Sequence, residues 1–389
     1  MKKFIESYLS KEVLGPFAAM YGVGFAPLLI LPFLFSAIVK HFSISESEAG
    51  LLITVELAAM CLGSLVLAPV IDKFSKRLLA IWAVVIVAIG NLAVVFTDSL
   101  SAGYVCLAVA GFGYGVALAA GNASVAAMKG NADEVFNKVV FLGTVLMVLL
   151  LNIFPRLIVA WSLPGALLGL VALHLLMLPA IARLSPAKSE AKHDHSNKGQ
   201  FKVLLQPLAL VIIVMMFCYF VRDTMLWVFA ESIGSNRLGM AVTDIGFLFS
   251  IHGAMSLLGP LLMLWLMHKF GKALLLIAGI IVSGAISIVV SQTHSVFVYS
   301  FLVIIWSTAH FFTYSCIMCF AAAADEKGRV AAAAGAAVMG GTAVAPAIAG
   351  YAMDSGGLPQ FTLAVIIAVL LTIAFTIATT LLFPKNIQA

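Results

Sequence analysis

The sequence predicts an all-α polytopic membrane protein, with twelve transmembrane helices in two pseudo-symmetric six-helix bundles. Three observations predict it. Hydrophobic residues make up 63% of the 389 and charged residues 10%, against about 45–50% and about 25% in soluble domains. Apolar runs of roughly twenty residues recur, each long enough to cross about 30 Å of hydrocarbon. The chain also repeats itself. Asp72-Lys73-Phe74-Ser75-Lys76-Arg77 returns 196 residues later as His268-Lys269-Phe270-Gly271-Lys272-Ala273, and Glu48, Gly50 and Gly63 are matched by Asp244, Gly246 and Gly259.

The spans fall near 15–39, 49–70, 78–97, 102–125, 138–160, 164–182, 204–230, 244–267, 273–291, 296–322, 330–352 and 360–383. Only helices satisfy their own backbone in lipid at this length. Residues 1–182 then form the N-terminal bundle, 183–203 a polar linker and 204–389 the C-terminal bundle, with 231–243 the longest loop on the side opposite the linker. In the first span, Gly22, Gly24, Pro27 and Pro32 predict a kinked or loosened helix. The eleventh, almost all Ala and Gly, predicts a smooth surface. Both suit rocking of one half against the other, although Gly and Pro are frequent in membrane helices in any case.

Of the 22 Lys and Arg residues, all but Lys40, Arg156, Arg222 and Arg237 lie on one side of this topology. Such a bias places both termini in the cytoplasm, and a multi-pass protein of the cell inner membrane is expected. Met1-Lys2-Lys3 begins no signal-peptide cleavage pattern, so the first span is expected to stay in the mature chain. The net charge of +5 is explained by that placement and needs no nucleic acid.

The five cysteines lie in apolar stretches and read as small hydrophobes. Cys316 and Cys319 have a metal-like spacing but sit inside a span, and His193-Asp194-His195 sits in a solvated linker. No cofactor and no metal are expected. The sequence has no phosphate-binding glycine loop, no His-Glu-x-x-His and no sizeable soluble domain, which counts against a membrane enzyme. Two asymmetric halves with lone charges suit a carrier better than a channel.

Twelve helices in two similar sixes joined by a cytoplasmic linker resemble the major facilitator superfamily. The loop between the second and third spans carries the likeness. That family's signature there is Gly, three residues, Asp, a basic residue, one residue, Gly and two basic residues. Here Ala68 and Ser75 replace both glycines, while Asp72, Lys73, Lys76 and Arg77 keep the acid and the basic positions. The resemblance implies a cytoplasmic latch between the halves at these four residues. Anchoring of Lys73, Lys76 and Arg77 to anionic headgroups is the alternative, though it would not need Asp72. The fourth span lacks the arginine usual in the superfamily's proton-driven drug exporters, reading Gly111-Phe112-Gly113-Tyr114-Gly115, and the fifth has Asn152, Pro155 and Arg156 where those carry a Gly-Pro pattern.

Charges inside spans mark the candidate site. Glu56 lies about seven residues, roughly 10 Å, inside its helix, and His252 holds the matching place in the repeat. An ionised carboxylate at that depth costs several kcal/mol unless paired or hydrated. A group that gains and loses a proton there is what proton coupling requires. A structural ion pair shutting a gate is the competing reading.

Arg222 and Asp223 lie deep in the seventh span, which the resemblance implies lines the central cavity. Arg222 shares a helical face with Met215, Tyr219, Leu226 and Phe229, a setting for an amphipathic anion whose carboxylate meets the guanidinium fork. An internal pair with Glu56 or Asp223 is equally open. His310, with Trp306 and Tyr314 on its face, can bind a ring or relay a proton, and Tyr114 can add a hydroxyl. Each can instead be core packing. Arg156 is a turn from its helix end and snorkels.

The expectation is thus a monomeric, proton-coupled secondary transporter. Its partners are protons, the lipid bilayer and a small organic solute, anionic or zwitterionic. A drug/proton antiporter drawn to cations by Glu56 and Asp223 is the runner-up.

Overall fold

The computed structural model describes residues 7–128, 132–184, 203–325 and 328–383; the linker triad His193-Asp194-His195 lies outside them. Everything regular among the described residues is helical. The order is α1 (Lys11–Phe17), a π-helical stretch (Ala18–Gly24), α2 (Ala26–Leu29), α3 (Leu31–Phe42), α4 (Glu46–Leu67), α5 (Lys76–Val95), α6 (Leu100–Ala126) and α7 (Ala132–Ile181). It continues with α8 (Pro207–Ser232), α9 (Val242–Met255), α10 (Leu258–Met267), α11 (Lys272–Gln292), α12 (Val296–Ala323) and α13 (Arg329–Leu382). Among the described residues nine helical stretches are long and apolar enough to cross a membrane.

The prolines and glycines of the first span break it into four pieces. The Phe25 N–H reaches back five residues to the Met20 carbonyl, which widens the coil into a π turn. Pro27 and Pro32 then stand at the starts of α2 and α3, where their missing N–H would have been unpaired anyway. The eighth span is also broken, at 256–257, between α9 and α10. Hydroxyls of α12 meet carbonyls beside that break: Ser307 donates to the His252 carbonyl, and Thr308 donates to Met255 at 2.8 Å. Broken helices persist in lipid only where neighbours satisfy the freed backbone in this way.

Helices α7 and α13 run for 50 and 54 residues, but each reverses in its middle. Trp161 and Ser162 leave helical geometry in the first, Gly356 and Gly357 in the second. The two reversals have the same backbone. Ser162 sits at φ 52, ψ −147 and Gly357 at φ 64, ψ −154, each followed by Leu and Pro. That region is essentially reserved for glycine, so Ser162 is strained by about 1–3 kcal/mol where Gly357 is not. The loop expected over 231–243 is shorter than that, because α8 runs to Ser232 and a π turn carries the helix on to Arg237. Arg237 then donates to the Ser291 carbonyl at 3.0 Å and to the Gln292 carbonyl at 2.5 Å, capping the C-terminus of α11.

The chain divides into two compact units: Met1–Ile44 with Leu51–Lys192, and Ser45–Gly50 with His193–Ala389. In the first, α5 packs along α6, and the π stretch and α1 pack on α6 and α7. In the second, α8 lies against α13, and α12 against α9, α10 and α11. The first turn of α4 belongs to the second unit. There Asp354 accepts the backbone N–H groups of Glu46 and Ser47 at 3.2 and 2.8 Å, covering two of the donors a helix start leaves open.

Candidate functional site

The second unit gathers most of the predicted site residues into one network. On α8, Tyr219, Arg222 and Asp223 occupy neighbouring turns of one face; His310 and Trp306 come from α12. The Asp223 Oδ1 accepts the Trp306 indole N–H at 2.8 Å and lies 3.0 Å from His310 Nδ1 and 3.5 Å from Arg222 Nη2. The Tyr219 hydroxyl donates to the His310 carbonyl at 3.0 Å and stands 3.2 Å from its Nδ1, with the two rings stacked. Arg222 lies over the Tyr219 ring at 4.5 Å and donates through Nη1 to Ser283 of α11 at 3.1 Å.

Arg222 is fully buried, and its Nε and Nη2 have no hydrogen-bond partner among the described residues. Those two atoms form the side-on edge of the guanidinium, the edge that takes a carboxylate by two parallel bonds. Asp223 is near enough for attraction but does not fill it. Its carboxylate is also the more open partner, at 15% side-chain exposure against 2%.

His252 stands beside this network. Its Nδ1–H donates to the Val303 carbonyl at 2.7 Å, and its ring stacks on Trp227 at 5.3 Å and meets Trp306 edge-on at 5.2 Å. Tyr314 packs edge-on against Phe220, which in turn meets the His310 ring. The sequence reading did not name Trp227 or Ser283; a count of polar and aromatic residues on faces next to Arg222 would have raised both.

The other candidates belong to the first unit. Glu56 is buried on α4. Tyr114 is enclosed in the unit's core, where Asn91 of α5 donates to its hydroxyl at 2.8 Å and His174 of α7 stands edge-on to its ring. Asn91 and His174 escaped the sequence reading, yet each is a lone polar residue within an apolar run.

At the loop between α4 and α5, Ile71–Lys73 forms a 3₁₀ turn and the Ser75 hydroxyl caps α5 by accepting the Leu78 N–H. Lys76 Nζ lies 3.7 Å from Asp72, and Arg77 donates to the Leu184 carbonyl at 2.9 Å, tying the loop to the end of α7. Lys73 closes the 3₁₀ turn through its backbone, its N–H bonded to the Val70 carbonyl. Arg156 is exposed and bonds back to the carbonyl of Asn152.

Apolar helices of membrane-crossing length that bury acids, histidines and an arginine define a multi-pass membrane protein with ionisable groups held out of water. The family model described as Major Facilitator Superfamily matches residues 14–324 and again 212–388. The chain belongs to that superfamily, and it is a transporter, not an enzyme. Among solved structures it is similar to the nucleoside transporter NupG, at 14% identity and TM-score 0.75, covering 96% of this chain and 98% of that one. It is also similar to a bacterial homolog of the human lysosomal transporter Spinster, in an inward-facing and occupied conformation. That match has 13% identity and TM-score 0.74, covering 99% of this chain and 98% of that one. No curated protein matches the chain in sequence.

Proposed function

We propose that the protein is a proton-coupled secondary transporter of a small organic solute, anionic or zwitterionic. It works by alternating access between two six-helix bundles in the cell inner membrane, with its termini in the cytoplasm. The non-helical breaks within α7 and α13, together with the segmented first span, support the reading of twelve crossings.

The observation that carries the solute class is the unfilled side-on edge of Arg222. A guanidinium buried in an apolar setting is costly unless its donors are met, and an arriving carboxylate meets them. It would also compete with Asp223 for the arginine, leaving that carboxylate to His310 and a proton. A zwitterion would use both, its carboxylate on Arg222 and its amine on Asp223.

The test compares Arg222→Lys with Arg222→Ala. Lysine keeps the charge and loses the planar fork, so both variants should weaken the best ligand comparably. Near-normal binding by Arg222→Lys demotes Arg222 to a counter-charge. Candidate ligands come from a thermal-shift screen, since a ligand of the folded state raises apparent stability. Nucleosides belong in that screen because of the likeness to NupG and the aromatic group of Trp227, His252 and Trp306. A drug/proton antiporter is the second reading, favoured by the greater exposure of Asp223. Preferential stabilisation by amphiphilic cations decides for it.

A further inference from the structure

One end of the second unit carries a contact that the solute site does not use. The π turn Ile233–Arg237 continues α8, and its last residue reaches the loop between α11 and α12. There Arg237 Nη1 donates to the Ser291 carbonyl at 3.0 Å. Its Nη2 donates to the Gln292 carbonyl at 2.5 Å and stands 2.7 Å from Nε2 of His294. A guanidinium has donors and no acceptor. Nε2 is therefore the accepting nitrogen of a neutral imidazole that carries its hydrogen on Nδ1.

A proton on His294 removes that lone pair, turns the acceptor into a donor and sets a second cation against the guanidinium. His294 is exposed, so water can deliver the proton. Among the described residues, Arg237 is the partner of His294, and no acid lies within ion-pair distance of the ring to offset a charge there. Glu231 of α8 is buried, while Asp244 in the first turn of α9 and Asp354 of α13 are exposed, and none of the three pairs with His294. Helix α11 carries its one charge, Lys272, at its other end, and the one titratable side chain of α12 that is polar enough to charge near neutrality, His310, lies well inside it. A helix C-terminus favours a cation, so an imidazolium at 294 competes with Arg237 for the last carbonyls of α11.

We infer that His294 is a proton-binding site that releases the π turn when the solution on its side turns acid. With His294 neutral, Arg237 is held by two carbonyls and a ring nitrogen, and it ties the end of α8 to the end of α11. With His294 charged, the ring nitrogen no longer accepts and two cations contend for the carbonyls. Turns of π geometry often mark functional segments, and this one prolongs the helix that bears Tyr219, Arg222 and Asp223. Loosening it therefore reaches the helix of the candidate site. On the topology proposed above, His294 faces the outside of the cell. The sensor depends neither on the class of solute nor on Glu56.

The test follows amide hydrogen exchange over residues 233–241 of the full chain in lipid nanodiscs, at about pH 7.5 and about pH 5, on either side of the ordinary histidine range. Each rate is divided by that of the unfolded peptide at the same pH, which removes the intrinsic pH dependence. In the wild type, protection should fall about tenfold at the lower pH, as a local opening would give. His294→Gln keeps an acceptor and takes up no proton, so its protection should stay high at both. His294→Lys carries a fixed charge and should be poorly protected at both. Wild-type protection that ignores pH, an equal fall in His294→Gln, or a well-protected His294→Lys overturns the sensor. An equal fall at interior amides of α11 also overturns it, since acid would then be loosening the whole unit. Arg237→Ala should be poorly protected even at the higher pH, and wild-type protection there would show that the clamp holds nothing. Glu56→Gln should keep the wild-type response. Loss of the response in that variant would move the sensing group to the first unit and overturn the assignment to His294.

Discussion

Each unit holds an acid, a tyrosine and a histidine, buried but for the partly exposed Asp223, and the two sets are satisfied to different degrees. In the second unit, Asp223, Tyr219 and His310 are bound to one another and to Trp306 and Arg222, all within hydrogen-bond or ion-pair distance. In the first, among the described residues, His174 has no hydrogen-bond partner and Asn91 has an unused acceptor. The repeat links them: Tyr114 stands 196 residues before His310, as Glu56 does before His252. Duplication thus preserved the places for polar side chains and let their identities diverge. One set became a fixed, mostly bonded frame around an arginine, and the other kept unspent hydrogen-bonding capacity.

The largest effect expected is from Asp223→Asn, which strands the buried Arg222 charge. Removing one partner of a buried ion pair costs about 3–5 kcal/mol, readable as a fall in thermal unfolding temperature in detergent. Arg222→Met in the same chain should recover most of that loss. Wild-type stability of the single variant would mean that the second unit is not held by this pair.

Glu56→Gln comes next, and it should act on transport rather than folding. It is nearly isosteric, so expression and unfolding should match wild type while accumulation driven by a pH gradient falls at least tenfold. Wild-type accumulation would remove Glu56 from coupling.

A smaller change is expected for Tyr114→Phe, which deletes the one hydrogen bond Asn91 makes to it. The loss should be about 0.5–1.5 kcal/mol. Smallest of all is His174→Leu. Replacing an unsatisfied polar group by an apolar one is nearly neutral or stabilising, whereas His310→Leu, which strips Asp223 of a partner, should destabilise clearly. Equal losses at the two histidines would erase the contrast between the units.

Much of the architecture was legible because lipid imposes simple rules. Apolar length marked the crossings, and the glycines and prolines of the first span foretold its segmentation. The break at 256–257 was harder to read, since it depends on hydroxyls of α12 that lie some fifty residues away in sequence. The site was legible as a set of residues rather than as a network. Helical spacing put Tyr219 and Arg222 on one face, but it could not say which acceptor Arg222 would face or that Asp223 would also bond Trp306. Nor could it rotate Tyr114 into the core beside Asn91 and His174. Those outcomes depend on how neighbouring helices are turned about their axes, which single-chain periodicity leaves open.

The matched reversals at Ser162 and Gly357 bear on how this protein can be handled in the laboratory. Two residues turn the chain at each, so an epitope, a fluorophore or a fusion partner inserted there would have to prise a helical hairpin apart. The stretch 238–241 is a better place for one. It lies between the π turn and α9, and a Cβ at Gly239, whose φ of +69 suits glycine, would meet nothing within 4 Å. A reporter placed there can follow the second unit without entering its core.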